Sequence, residues 1–331
     1  MALRRELNFV LVAFLVQLFG SALTQELACS STHSGNVYSF TVNASSPIGN
    51  INLMYVQHDG VRQIPLSTTV LHNALNMQVH AERQDDFRKH TCAVIVNQQT
   101  ACSTTYKMTP AQESASSRTA FDRGHLTPAN PNRFSAQAVS NTFFCVNIAP
   151  QDPFTNQNPW FTVEDKSHRY FASKDGYVMT GVCDANDRFS PTLDGYKVPS
   201  CWWKLICYVD TAGTTQVVGF IGNNTLIDFA GSPSGEKAVR VVDTTTPRGQ
   251  QEILDVMTRD TFIMDAWTGA ETYLRRNRGI VNTPTAANCR SKRTISAAVK
   301  NEWSSVMREG VLEHKYTSDV DLEAVKALWG N

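Results

Sequence analysis

The chain has 331 residues, 42% of them hydrophobic, which is enough to bury a large core in one domain or slightly more. Its 30 basic and 30 acidic residues give a formal net charge of zero. This balance argues against a protein held on nucleic acid by its overall charge, although a local basic patch remains compatible with it.

The first 24 residues have the composition of a secretory signal peptide. Arg4 and Arg5 precede the apolar run "NFVLVAFLVQLFG", and small residues follow it in "SALTQ". The run is shorter than the roughly 20 residues that span a bilayer, so it predicts a cleaved signal rather than a membrane anchor. We therefore expect residues 1–24 to be removed, and the mature protein to be secreted (extracellular) and not attached to a membrane.

Eight cysteines follow this segment, and an even number in an exported chain predicts disulfides. Cys201 and Cys207 enclose "CWWKLIC", which has the composition of a strand and would hold their Cα atoms about 20 Å apart. Disulfide Cα atoms lie within about 7 Å, so these two cysteines are not expected to pair with each other. The remaining pairings stay open. The sequons at Asn43 and Asn223 fit the secretory route and predict a glycoprotein.

Residues 25–80 are predicted to form a β-rich N-terminal extension, because "GNVYSFTVNA" and "INLMYVQ" mix β-branched and aromatic residues. A short strand is predicted at 92–99 and an exposed polar loop at 106–120. "NTFFCVNIAP" is predicted to be a strand that ends at Pro150. "NQNPWFTVEDKSHRYFAS" is predicted to be a helix with Pro159 in its first turn and an end near Ser173.

Three further strands are predicted from "GYVMTGVC", "CWWKLICYV" and "TQVVGFIG". Helices are predicted from "GQQEILDVMTRDTFIMDAW" and "DVDLEAVKALWG". The order of elements favours the α+β class, and we expect residues 81–331 to form the second domain.

The "DRGH" motif places Arg123 close to His125. A histidine with an ordinary pKa near 6.5 can take a proton from water at neutral pH, and an arginine can neutralise phosphoryl oxygens. Asn147, Asn156 and Glu164 offer oxygen atoms within about fifty residues, and Mg²⁺ needs few protein ligands. Each residue alone also has a structural explanation, as a buried histidine or a helix cap.

Three blocks, "FDRGHLTPAN", "NTFFCVNIAPQDPFTNQNPWFTVE" and "YKVPSCWWKLIC", occur in this order. Together they resemble the DNA/RNA non-specific endonucleases, a family of ββα-metal (His-Me finger) nucleases. The resemblance extends over about residues 85–270. It implies a ββα-metal core with a central antiparallel sheet flanked by helices, in addition to the β-rich extension.

The resemblance also implies a role for each site residue. His125 would be the general base, and Arg123 would stabilise the pentacovalent phosphate. Asn156 would bind Mg²⁺ directly, with Mn²⁺ able to substitute, and Glu164 would hold metal-bound waters. Asn147 would support the site.

Two features of the motif region need separate interpretation. The family often has an arginine four residues after the glutamate, where this chain has His168; Arg169 follows about 100° further round the helix. Which of the two replaces the family arginine stays open. Asp122 is expected to orient the motif. Gly124 is expected to let the backbone turn tightly, so that its two neighbours act on opposite aspects of one phosphate.

The implied function is a secreted, Mg²⁺-dependent endonuclease that cleaves DNA, and RNA as a second candidate, with little sequence specificity and leaves 5′-phosphates. A catalytically impaired nucleic-acid-binding protein on the same fold is the alternative. A disulfide-stabilised binding module with chance motifs is a third hypothesis.

A basic run extends from Arg275 to Lys300 and contains seven basic and no acidic residues. Its plain interpretation is a solvated surface. Arg290, Lys292 and Arg293 are nevertheless the best local candidates for contacts with a nucleic-acid backbone.

Overall fold

The computed structural model describes residues 32–34, 37–46, 49–60, 62–72, 81–83, 85–90, 102, 121–152, 155–156, 160–171, 175–183, 189–193, 196–199, 201–210, 212–224, 239–242 and 288–289. The predicted signal peptide, the strand at 92–99, the loop at 106–120 and the two later helices lie outside these residues.

An eight-stranded sheet in which every neighbouring pair is antiparallel dominates the described part of the chain. Its strands, in spatial order, are β1 (Thr32–Ser34), β2 (Val37–Ser46), β3 (Gly49–Asp59), β4 (Ile64–His72), β7 (Gly176–Val182), β10 (Cys201–Val209), β11 (Thr215–Asn223) and β12 (Val239–Val241). The predicted central antiparallel sheet is therefore confirmed.

The first four strands join the later ones through β4 and β7, where Thr68 pairs with Thr180. One sheet thus includes strands from both sides of the predicted domain boundary at residue 80. The division of the chain into domains stays a prediction.

Beside the large sheet, the described residues include two small sheets and two α-helices of seven residues or more. These are β5 (Asp122–His125) with β6 (Ile148–Gln151), β8 (Phe189–Leu193) with β9 (Tyr196–Pro199), α1 (Ala136–Thr142) and α2 (Phe161–Phe171). Ser135 caps α1, because its Oγ accepts a hydrogen bond from the Ala138 amide at 3.0 Å. Phe134 and Ala138 bury this part of the chain against Phe40 and Leu53 of β2 and β3.

Strand β10 is buried along nearly its whole length, as expected of a central strand that is covered on both faces. Its side chains alternate between the two faces. Trp203 and Cys207 pack with Met179 of β7 in an apolar cluster on one face. Trp202 and Lys204 lie on the other face, which we call the site face because it carries the residues described below.

The "NTFFCVNIAP" prediction is wrong over most of its length. The helix α1 continues to Thr142, a 3₁₀ turn spans Cys145–Asn147, and β6 begins only at Ile148. The aromatic residues that suggested a strand are used instead to pack this turn and helix end into the core. Pro150 lies inside β6, which pairs with β5 alone among the described strands, so it is tolerated as on an edge strand.

The other element predictions that fall on described residues are confirmed. The helix is present as α2, and the strands predicted at "GYVMTGVC", "CWWKLICYV" and "TQVVGFIG" are β7, β10 and β11.

Among the described cysteines, three disulfides join Cys102 to Cys145, Cys183 to Cys201, and Cys207 to Cys289. The expectation that Cys201 and Cys207 do not pair with each other is confirmed, because each has a different partner. Within the described ranges, we find no helix with the length and apolar character needed to cross a bilayer.

Candidate active site

The "DRGH" motif lies on strand β5 rather than in a loop. Alternate residues of a strand share a face, so Arg123 and His125 point to the same side. Both contact Phe87: the Arg123 Cζ atom lies 3.6 Å from the centroid of its ring, and the His125 ring lies 5.5 Å from it. The expectation of a tight turn at Gly124 is therefore wrong, while the roles of the two side chains towards a phosphate stay a prediction.

Gly124 serves close packing instead of a turn. Among the described glycines, only Gly213 has a positive φ. A Cβ atom added at Gly124 would lie 2.6 Å from the Cβ of Gln151 and 2.9 Å from Cη2 of Trp202. The glycine therefore lets β5 approach β6 and the site face of β10 more closely than any side chain would permit.

His125 is held among aromatic rings and carries a buried nitrogen. Its ring meets Phe143 edge-on at 4.7 Å, and its Nε2 atom has no hydrogen-bond partner within the described residues. Burial lowers the pKa of His125 to about 3, the positive charges of Arg83 and Arg123 act in the same direction, and Asp85 opposes them. The imidazole is therefore neutral at neutral pH and able to accept a proton.

Asn147 holds the backbone that directly follows His125. Its Oδ1 atom accepts a hydrogen bond from the Thr127 amide, and its Nδ2 atom donates to the Thr127 and Thr142 carbonyls, all at 2.8 Å. The side chain is fully buried. Both the oxygen and the nitrogen of the amide thus make hydrogen bonds within the fold. This arrangement fits a residue that supports the site rather than one that binds a ligand.

Asn156 is oriented by Asp122. Its Nδ2 atom donates a hydrogen bond to the Asp122 carboxylate at 2.9 Å. Because an ionised carboxylate only accepts, the amide nitrogen must face it, and Oδ1 is the end that Asp122 leaves free. Asp122 therefore acts on Asn156, a specific role that the sequence did not reveal.

Glu164 on α2 faces Lys204 on β10. The Lys204 Nζ atom lies 3.8 Å from Glu164 Oε1, and the two side chains are 1% and 15% exposed respectively. Burial raises the pKa of Glu164 to about 7, against the opposing charges of Lys204 and Arg83. Burial also lowers the pKa of Lys204 to about 8, against the opposing charge of Glu164. Each charge is thus stabilised chiefly by the other.

Arg83 is a site residue that the sequence analysis missed. Its charge acts on both His125 and Glu164, which places it near β5 and α2 together. Its Nε atom contacts the Asp85 carboxylate at 2.7 Å, with both side chains more than half exposed. Its position about forty residues before the motif, in a polar stretch, gave no signal.

The residues that could replace the family arginine both lie on α2. His168 is partly buried there, and Arg169 follows it, but the side chain of Arg169 lies outside the description. Arg290, Lys292 and Arg293 also lie outside the described residues. Cys289, directly before them, is bonded to Cys207 in the apolar cluster on the face opposite the site face.

The donor set can be tested against a metal ion. Within the described residues, no group of three or more histidine, cysteine or acidic side chains could hold one, so the site does not match the three or four protein ligands of a typical zinc centre. Asn156 Oδ1 and the Glu164 carboxylate are hard oxygen donors. They fit Mg²⁺, which keeps several of its waters and takes few protein ligands.

A sequence model of the family described as DNA/RNA non-specific endonuclease matches residues 33–249, about two thirds of the chain. The chain belongs to this family. The predicted resemblance is thus confirmed, and the match begins well before the predicted start near residue 85.

Individual relatives match over shorter regions. A nuclease of Nostoc sp. is 29% identical over 137 residues, which cover 41% of this chain and 45% of that protein. Mitochondrial endonuclease G of Bos taurus is 42% identical over 121 residues, 33% of this chain and 40% of that protein. The matched regions span less than half the length of these relatives. The crystal structure of an EndoG/EndoGI complex has 15% identity and a TM-score of 0.38, with 61% of this chain and 78% of that chain covered, which is too distant for any argument.

Proposed function

We propose that the chain is a secreted, metal-dependent endonuclease that hydrolyses phosphodiester bonds of DNA, and also of RNA, with little sequence specificity. The observation that carries the proposal is a neutral His125 with a buried, unpartnered Nε2 atom beside Arg123, within the region matched by the family. β5 and β6 pair with each other although α1 lies between them in the chain, and α2 follows β6, which supports assigning the two strands and α2 to a ββα-metal motif.

His125 acts as the general base in this proposal. The unprotonated nitrogen of its ring takes a proton from the attacking water, whose oxygen forms the new bond to phosphorus. The bond from phosphorus to the 3′ oxygen breaks, and that oxygen gains a proton. The products are a 5′-phosphate and a 3′-hydroxyl. Because burial lowers its pKa, His125 is neutral at neutral pH.

Arg123 and Arg83 neutralise the phosphoryl oxygens. Arg123 is fixed by stacking on Phe87, close to the base. Burial lowers the pKa of Arg123, but an arginine stays charged at any working pH, so the burial strengthens its attraction for an anion. Arg83 lies more in solvent and supplies a second cation.

Asn156 Oδ1 would hold a Mg²⁺ ion, with Mn²⁺ as a substitute, and Glu164 would accept hydrogen bonds from its waters. When bound, the ion supplies positive charge beside the phosphoryl oxygens and acidic water near the leaving oxygen. Asp122 keeps the oxygen of Asn156 available by binding its nitrogen. Asn147 keeps His125 in place from behind.

Secretion is supported by the predicted signal peptide and by three disulfides, which persist in oxidising compartments. The sequon at Asn43 lies on β2 and that at Asn223 ends β11, and glycosylation at either belongs to the same proposal. The word mitochondrial in the name of the bovine relative is said of that protein alone.

The proposal is tested by incubating purified protein with covalently closed plasmid in Mg²⁺, with and without excess chelator, and by labelling the product ends. Nicking that chelator abolishes reversibly, with 5′-phosphate ends, is the expected result. Cleavage in excess chelator would contradict the proposed dependence on a metal ion.

A nucleic-acid-binding protein without catalysis is the alternative, since the family arginine is replaced. It predicts plasmid binding without nicking at any Mg²⁺ concentration. Single- and double-stranded DNA and RNA in the same assay would then define which substrate is preferred.

A further inference from the structure

Lys204 is an unusual residue for its position. It lies in the middle of β10, between β7 and β11, and its side chain is 1% exposed. Removing an ammonium group from water is costly, and an apolar residue of similar volume is often at least as stabilising at such a position. Stability alone therefore does not explain a lysine here.

The sheet fixes the Lys204 ammonium group. Its Nζ atom donates a hydrogen bond to Thr180 Oγ1 at 2.7 Å, from the residue directly opposite on β7. It also lies 5.1 Å from the Trp160 ring centroid. Both neighbours are buried, so the ammonium group cannot move to solvent. The sheet therefore fixes the position from which Lys204 contacts Glu164 at 3.8 Å.

The same row of the sheet also supports the strand that carries His125. Thr68 pairs with Thr180 across β4 and β7, and its Oγ1 atom lies 2.8 Å from Thr127 Oγ1. Asn147 holds Thr127 through the hydrogen bonds described above. Thr68, Thr180 and Lys204 thus form one polar row across the site face. This row contacts α2 through Lys204 and the chain that follows His125 through Thr68.

We propose that Lys204 is a positioning residue that holds the Glu164 carboxylate at a fixed place relative to His125. The inference rests on the proposed role of Glu164. Among the described residues, Lys204 and Arg83 are the charged groups that act on Glu164 from packed elements. Arg83 is half exposed and already contacts Asp85, so water screens its charge more strongly. Lys204 is thus the dominant counter-charge.

The first test is the rate of cleavage in Lys204→Met, which keeps the length of the side chain and removes the ammonium group that contacts Glu164. Because the carboxylate loses its partner on the sheet, we expect the rate to fall at least tenfold and the Mg²⁺ concentration for half-maximal activity to rise. Lys204→Arg keeps a cation at this position and should restore both values towards wild type.

The matched control is Leu205→Val, a neighbouring position on β10 that packs on the opposite face. It weakens the same strand without touching Glu164, so Tm should fall while the rate and the Mg²⁺ requirement stay within a few fold of wild type. A folded Lys204→Met variant that cleaves like Leu205→Val would overturn the proposal.

A second readout requires neither metal nor activity. Thermal unfolding of Lys204→Met, Glu164→Gln and the double variant forms a double-mutant cycle. Because each single change leaves one buried charge unpaired, the double variant should lose less in Tm than the sum of the singles. Additive losses would overturn the proposal. If wild type does not cleave nucleic acid, the proposed function fails, while this cycle still decides whether Lys204 and Glu164 are coupled.

Discussion

The substitution Gly124→Ala tests whether close packing of β5 positions the site. The added Cβ would lie 2.6 Å from Gln151 Cβ and 2.9 Å from Trp202 Cη2, whereas carbon atoms normally lie about 3.5–4.0 Å apart. Relief therefore needs a movement of roughly 1 Å. The Trp202 ring and the Cβ of Gln151 are buried and cannot swing into solvent, so β5 itself is expected to shift.

Overpacking of this kind typically costs about 1–3 kcal/mol, which for a chain of this size lowers Tm by roughly 2–10 °C. A displacement of about 1 Å at Arg123 and His125 should lower the cleavage rate by about 10²-fold. Calorimetry and a plasmid-nicking assay on the same sample measure both effects. Gly213→Asn is the control, because Gly213 has φ 76° with no atom near its absent Cβ, and asparagine tolerates that conformation. An alanine variant with wild-type Tm and rate would refute the packing argument.

Three further predictions concern single groups. In His125→Gln, lowering the pH from 6.5 to 3 should reduce the free energy of unfolding less than it does in wild type. The buried imidazole has a depressed pKa, so its protonation destabilises the wild-type fold across this window, by up to about 1.4 kcal/mol per pH unit. If urea unfolding shows the same dependence on pH in both proteins, the imidazole is not buried. In Asp122→Ala, the Mg²⁺ concentration for half-maximal activity should rise about 10–100-fold, since Asn156 Nδ2 loses the acceptor that orients it; a metal titration with no shift would contradict this. Replacing Arg290, Lys292 and Arg293 together with alanine should flatten the dependence of log affinity for nucleic acid on log salt, by up to about one unit per lost phosphate contact. An unchanged slope would mean that these residues belong to a solvated surface and do not contact the nucleic acid.

The sequence predicted the strands whose apolar and β-branched residues form long runs. "CWWKLICYV" and "TQVVGFIG" each carry enough of them to define a strand locally, and the structure has them as β10 and β11. "DRGH" has no such composition, because glycine and charged residues disfavour strands. Its strand conformation comes from pairing with β6, a contact between residues that are more than twenty positions apart.

The candidate site could be predicted from the sequence only where a local motif or the family resemblance marks its residues. The motif and its spacing indicated His125, and the family resemblance supplied roles for Asn156 and Glu164. The contributions of Arg83 and Lys204 depend on how distant segments meet, and no local pattern reports that. Lys204 even appears at the centre of an apolar strand, where its one charge is easily overlooked until Glu164 is found opposite it.

The most direct measurement compares His125→Ala with His90→Phe in Mg²⁺-dependent plasmid nicking, after circular dichroism has shown that both variants are folded. His90 is also a buried histidine, and it packs against Phe40 and Phe144, so phenylalanine preserves its aromatic contacts. The account predicts that His125→Ala loses at least about 10² in rate and that His90→Phe stays within a few fold of wild type. A folded His125→Ala variant that cleaves as fast as His90→Phe would contradict the assignment of this site as the catalytic centre.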